Sequence, residues 1–280
     1  MRTVFVVVNR FGLAKPISST TIPFESTHHF LRGQQSMKTR RTPLSMNLSR
    51  KRRTPFRPCF EHLEDRRLLA TFTELGSLLD IDLDETGDYL TVKATPSGYE
   101  LELGNSYWNG ADTNYAVANG TRKLIVNADD TSPFDRISIR DSAANANVQF
   151  IDSGSNLYVD SFDITLDNPN ASEIVFWGTS RFSIGAGLDI ETVRNVRFAS
   201  GSSLSTVDGN VVVTANMGST MTSMNLPGLW LDNSQIQTTG SGNIDVTARG
   251  GNQADQWGIL VGNNSTMRAI ANGAITLKGY

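Results

Sequence analysis

Gly209-Asn210-Val211-Val212-Val213-Thr214-Ala215 returns as Gly242-Asn243-Ile244-Asp245-Val246-Thr247-Ala248, and again as Gly273-Ala274-Ile275-Thr276-Leu277-Lys278-Gly279. The copies begin at positions 209, 242 and 273, so the two intervals are nearly equal. Between the copies, Gly228-Leu229-Trp230-Leu231-Asp232-Asn233 pairs with Gly258-Ile259-Leu260-Val261-Gly262-Asn263, and Gln235-Ile236-Gln237 with Thr266-Met267-Arg268. Three short β-like runs therefore recur in the same order in each unit. A fixed period of this length means units that stack on their neighbours.

Three strands in each such unit suit one three-sided coil of a right-handed parallel β-helix, each coil adding about 4.8 Å. Glycines stand where the backbone must turn between faces. Upstream runs carry the same alternation: Leu78-Leu79-Asp80-Ile81-Asp82-Leu83-Asp84, Tyr89-Leu90-Thr91-Val92-Lys93, Phe162-Asp163-Ile164-Thr165-Leu166 and Glu173-Ile174-Val175-Phe176-Trp177. Period two means one buried and one wet face. The expected class is all-β, with a parallel β-helix over 121–280 and a β-sandwich as the rival architecture. Residues 71–120, whose runs come at hairpin spacing, are expected to form an N-terminal cap or lead-in. Trp177 and Trp230 lie in strand patterns and are expected to be buried. Tyr280 follows a strand directly, so the reading frame is expected to be truncated, with self-association through an open strand edge as the other outcome.

Charge divides the chain. Residues 1–70 hold 14 Lys/Arg against 4 Asp/Glu, and residues 71–280 hold 11 against 24, balances of +10 and −13. All three histidines and Cys59 precede residue 71. The acidic body argues against nucleic acid as a partner. No stretch approaches the ~18 apolar residues of a membrane span. A lone cysteine excludes an internal disulfide.

The leader carries a specific resemblance. Arg52-Arg53, followed by Phe60-Glu61-His62-Leu63-Glu64-Asp65-Arg66-Arg67-Leu68-Leu69-Ala70, resembles the N-terminal extracellular motif of planctomycete secreted proteins. Phe60, Glu61, Leu63, Glu64, Asp65, Arg66, Leu68, Leu69 and Ala70 are its targeting residues here. The resemblance implies a secreted or cell-surface protein. In that family the motif lies near the initiator methionine, so residues 46–70 are read as the export leader, starting at Met46. Residues 1–45 are then an over-extended gene model or a disordered tail. The body, in texture, is similar to haemagglutinin-type adhesins, which implies a structural or adhesive role with extracellular polysaccharide or other surface proteins as partners.

Without His or Cys, the body has no Ser-His-Asp triad, no Cys nucleophile and no His-rich zinc site. Carboxylate chemistry remains. A polysaccharide-acting β-helix hydrolase or lyase is the alternative function, and it needs a paired acid and base. Asp129-Asp130 and Asp135 are close in sequence, while Asp152, Asp160, Asp163 and Asp167 are spread out at no catalytic spacing. The expectation is therefore a non-enzyme without a cofactor. Asp80, Asp82 and Asp84 point to one strand face about 7 Å apart, where a structural Ca²⁺ could bridge them. An EF-hand is excluded, because its sixth and twelfth positions hold Glu85 and Thr91. Tyr107-Trp108, in a polar Gly/Asn-rich stretch, could form an exposed platform for a sugar ring, which would make the chain a carbohydrate-binding module.

Overall fold

The computed structural model describes residues 69–280, apart from 114, 119, 129–133, 153, 172, 184, 219–224 and 254–255. Phe60 to Leu68 of the leader motif, with Cys59 and His28-His29, lie outside the described residues, as do Asp129 and Asp130. All regular structure among the described residues is strand, in three sheets. No helix there is long and apolar enough to cross a membrane.

The first sheet runs, in spatial order, Ile275–Gly279, Ile244–Ala248, Val211–Ala215, Gly187–Thr192, Val159–Leu166, Phe134–Asp141, Leu78–Leu83, Leu69–Leu75 and Tyr107–Asn109. The second runs Ile259–Gly262, Leu229–Asp232, Val196–Phe198, Ile174–Phe176, Asn147–Phe150, Tyr89–Thr95, Gly98–Leu103, Lys123–Asn127 and Ala116–Val117. The third holds Asn156–Leu157, Thr179–Phe182, Ser203–Thr206, Gln235–Thr238 and Thr266–Ala269. From Phe134 onward the chain visits first, second and third sheets in turn. Each strand except Asn156–Leu157, the first of the third sheet, pairs in parallel with one laid down earlier in the same sheet.

The three glycine-led segments are neighbours in register: Val211 faces Ile244, which faces Ile275. Leu229 faces Ile259, and Gln235 faces Thr266, so the other two recurring runs are also adjacent rungs. The circuit is shorter upstream. Ile137, Phe162, Leu188 and Val211 are successive partners, and each lies closer in sequence to the next than Val211 does to Ile244. Antiparallel pairing among the described residues is confined to the N-terminal hairpins. The sequence boundary at 120 is not a structural one. Gly98–Leu103 pairs with Lys123–Asn127 across it, while Leu78–Leu83 and Tyr89–Thr95 already serve as parallel rungs beside Phe134–Asp141 and Asn147–Phe150.

Alternation places like residues above like. Ile81, Ile139, Ile164, Ile190, Val213 and Val246 form one inward column of the first sheet, all buried. In the second sheet Phe150, Phe176 and Phe198 stack in register. Their ring centroids are 4.6 and 4.3 Å apart, with planes at 5° and 1°. Leu204, Ile236 and Met267 do the same in the third.

The corners are polar columns. The Asn243 amide donates to Asn210 Oδ1 and the Ala274 amide to Asn243 Oδ1, both at 2.8 Å. The buried hydroxyls of Thr206 and Thr238 donate to the carbonyls of Gly209 and Gly242, each at 2.7 Å. Asn233 and Asn263 turn the second corner in the left-handed region, at φ 46° and 41°, a conformation asparagine tolerates better than most residues.

Candidate functional site

The aromatic platform read from sequence is built differently from the expectation. Trp108 is fully buried. Tyr107–Asn109 pairs in parallel with Leu69–Leu75, so alternation turns the indole inward. It packs edge-on against Phe72, centroids 6.0 Å apart, and its Nε1 donates to the carbonyls of Leu101 and Arg122 at 3.2 and 3.0 Å. No Trp108 ring face is left for a sugar, which removes the paired platform, and the Arg122 guanidinium covers one face of the Tyr107 ring. The polar flanks Asn105, Asn109 and Gly110 suggest exposure that the pairing overrides. Trp177 and Trp230 also differ from expectation. Trp177 is 50% exposed, and Trp230 is half-buried on the outer face of the second sheet.

Asp80 and Asp82 do share an outer face, but the neighbouring rung supplies a cation of its own. Arg140 reaches both, at 3.2 and 3.3 Å, and Asp82 also accepts the Ser142 amide at 3.1 Å. A guanidinium thus takes the place read as a Ca²⁺ position. Among the described residues no group of three His, Cys, Asp or Glu could hold a metal ion. Asp84 stands apart: burial, then the charges of Asp82 and Glu85, push its carboxyl up to about 6.

What the strands do bring together is a polar groove of about 360 Å³ on the outer face of the first sheet, lined in part by Asp160, Asp163, Asp189, Asp208 and Asn210. Asp163 and Asp189 are register partners, so their strands lie about 4.8 Å apart. Arg136 pairs with Asp163, and the Ser161 hydroxyl donates to it at 2.6 Å. Burial is the main cause raising the Asp189 carboxyl, the charges of Asp163 and Glu191 add to it, and Arg136 opposes it. Asp208 is committed to structure, accepting the Ser241 amide and hydroxyl at 2.8 and 3.1 Å. The groove offers one carboxylate bound to a cation beside one inclined to keep its proton. That can hydrogen-bond a polyol. Asp163 and Asp189 come from the shorter upstream circuits, off the period of the C-terminal repeats, so no spacing in the sequence marks them as partners.

Two acids, Asp84 partly buried and Asp141 more deeply so, give the body a pH signature. Asp141 is nearly buried and is pushed up to about 6, chiefly by burial, although Oδ1 accepts the Asp167 and Asn168 amides. With folded values above the unfolded ~3.9, Asp84 and Asp141 bind more protons folded than unfolded between about 4 and 6. Their contribution is therefore most favourable at the acid end and falls as pH rises through 6. Asp141→Asn is expected to raise the melting temperature at pH 7.5 and leave it nearly unchanged at pH 4.5, as read by circular dichroism.

No protein-family model matches the chain, no curated protein matches it, and no solved structure matches it.

Proposed function

We propose that this is an exported structural or adhesive component of a cell surface or matrix, its body a right-handed parallel β-helix of three strands per turn behind an export leader at residues 46–70. The observation that carries the reading is the circuit through three sheets, with in-register columns of Ile, Val and Phe inside and Asn at the corners. Such a stack is rigid, extends by whole turns, and presents long flat faces, which suits a scaffold. Its extracellular placement rests on the resemblance of Phe60–Ala70 to a secretion motif.

Fractionation of the producing cell, with N-terminal sequencing of the recovered protein, tests this. The protein is expected in the medium or surface fraction. Any processed terminus is expected no later than Leu69, because Ala70 is already buried in the first strand. The same measurement reads whether translation starts at Met46. Retention in the cytoplasm with Met1 intact would sink the export reading.

A polysaccharide-acting enzyme is the second reading, and the Asp163–Asp189 pair beside Arg136 favours it. Retaining glycosidases hold two carboxyl groups about 5–5.5 Å apart, and these two stand on adjacent rungs of one sheet. Release of reducing ends from a glycan, abolished by Asp189→Asn, would put this reading first.

A further inference from the structure

The outer face of the second sheet carries aromatic and paired charged groups that the scaffold itself does not need. Val175, Arg197, Trp230 and Leu260 are successive register partners on it. Glu173 grips the Arg197 guanidinium through both carboxylate oxygens, at 3.1 and 3.2 Å, and the Asn195 amide group donates to Glu173 as well, at 3.2 Å. The same guanidinium lies 4.9 Å from the Trp177 ring centroid. It is held between Glu173 and Trp177, and its residue is the register partner of Val175, which is buried although it points outward. The guanidinium thus covers one face of the Trp177 ring, and the residue remains half exposed.

Tyr89, Trp177 and Trp230 stand on strands two rungs apart or directly after them, so the rings recur at roughly 10 Å intervals along the stack. Trp230 stands level with Arg197, while Tyr89 and Trp177 lie to either side of that level. Each ring offers an apolar face with polar neighbours: Gln149 beside Tyr89, Glu173 and Arg197 beside Trp177, and Asp232 beyond Trp230. Rings alternating with hydrogen-bonding groups suit a chain of sugars, whose rings have apolar faces and hydroxylated edges. Charge selects the sugar. Arg197 is already neutralised by Glu173, and the −13 body repels uronates and sulfates.

We propose that this face binds a neutral polysaccharide lying along the stack, with one pyranose ring on Trp177, another over Trp230, and the Glu173–Arg197 pair bonding the hydroxyls between them. This deepens the adhesive half of the reading above, and its test separates the two. The full chain is run in native gels cast with xylan, glucomannan or mixed-linkage β-glucan, with alginate as the acidic control. At least one neutral glycan is expected to retard it; any alginate retardation comes from the +10 leader and is expected to be the same for Trp177→Ala. Trp177→Ala is expected to weaken the retardation about tenfold with an unchanged circular dichroism spectrum, and Trp177→Phe to keep most of it. Retardation by none of the three, or equal retardation of Trp177→Ala, would overturn the proposal. So would sedimentation showing a dimer that Trp177→Ala dissociates, which would assign the face to a second copy. An exported protein that binds none of these glycans loses this site alone; a glycan-binding protein that never leaves the cell loses the export reading alone.

Discussion

Gly242→Ala is expected to abolish the folded body or to lower its stability by at least ~4 kcal/mol, beyond the ~1–3 kcal/mol of ordinary overpacking. A Cβ at this position would overlap the Gly209 carbonyl. The obstacle is backbone, which has no rotamer to give way. Gly209 stands in the same relation to Ala186, and Gly273 to Gly242, so the corner is a column of glycines in which each circuit rests on the one before. Displacing Gly242 would also pull its carbonyl from Thr238 Oγ1 and disturb the asparagine ladder beside it. Gly262→Ala is the control. Its nearest neighbour, the Leu231 carbonyl, is 3.6 Å from the added carbon, ordinary contact, and the expected cost is under ~1 kcal/mol. Urea denaturation of the two variants checks this, and equal midpoints would show that the column tolerates side chains.

Phe176→Ala is expected to cost about 3–5 kcal/mol, the second largest effect. Phe176 is fully buried between Phe150 and Phe198, so the substitution empties the middle of a stack and strips both neighbours of a ring face. Phe176→Leu restores most of the volume without the ring and is expected to cost about 1.5 kcal/mol or less. Denaturation midpoints for the pair, with near-ultraviolet circular dichroism of the stacked rings, separate volume from stacking. A loss for Phe176→Ala no larger than for Phe176→Leu would mean that the circuit collapses inward to fill the space.

The last three circuits are legible in the sequence because their connections are similar in length. The glycine-led segments at 209, 242 and 273, and the runs between them, appear in the structure as the rungs their matching implied. Upstream, shorter circuits with third-sheet strands as brief as Asn156–Leu157 leave too little sequence between turns for a period to stand out. Burial is legible where alternation runs long, as at Leu79, Ile81 and Leu83. It fails at Trp108, whose short strand takes its direction from a partner far earlier in the chain, Leu69–Leu75. At Trp177 the strand's own parity, with Ile174 and Phe176 inward, already points the ring outward. The Asp163–Asp189 pair and the Arg140 contacts arise only when strands are set side by side, so strand pattern alone could not reveal them.

The corner asparagines have a chemical consequence. Asn210 is followed by Val211 and Asn243 by Ile244, and branched successors slow the backbone attack that turns asparagine into aspartate. Each side-chain oxygen also accepts an amide from the next circuit, which holds the group away from that attack. Were one to convert, a negative charge would arise within a column that now meets amide donors with neutral acceptors. The ladder beside the glycine corner is thus shielded twice, by the branched residue that follows each asparagine and by the amide its oxygen holds, whereas Asn109-Gly110 and Asn272-Gly273 lack the first of these shields.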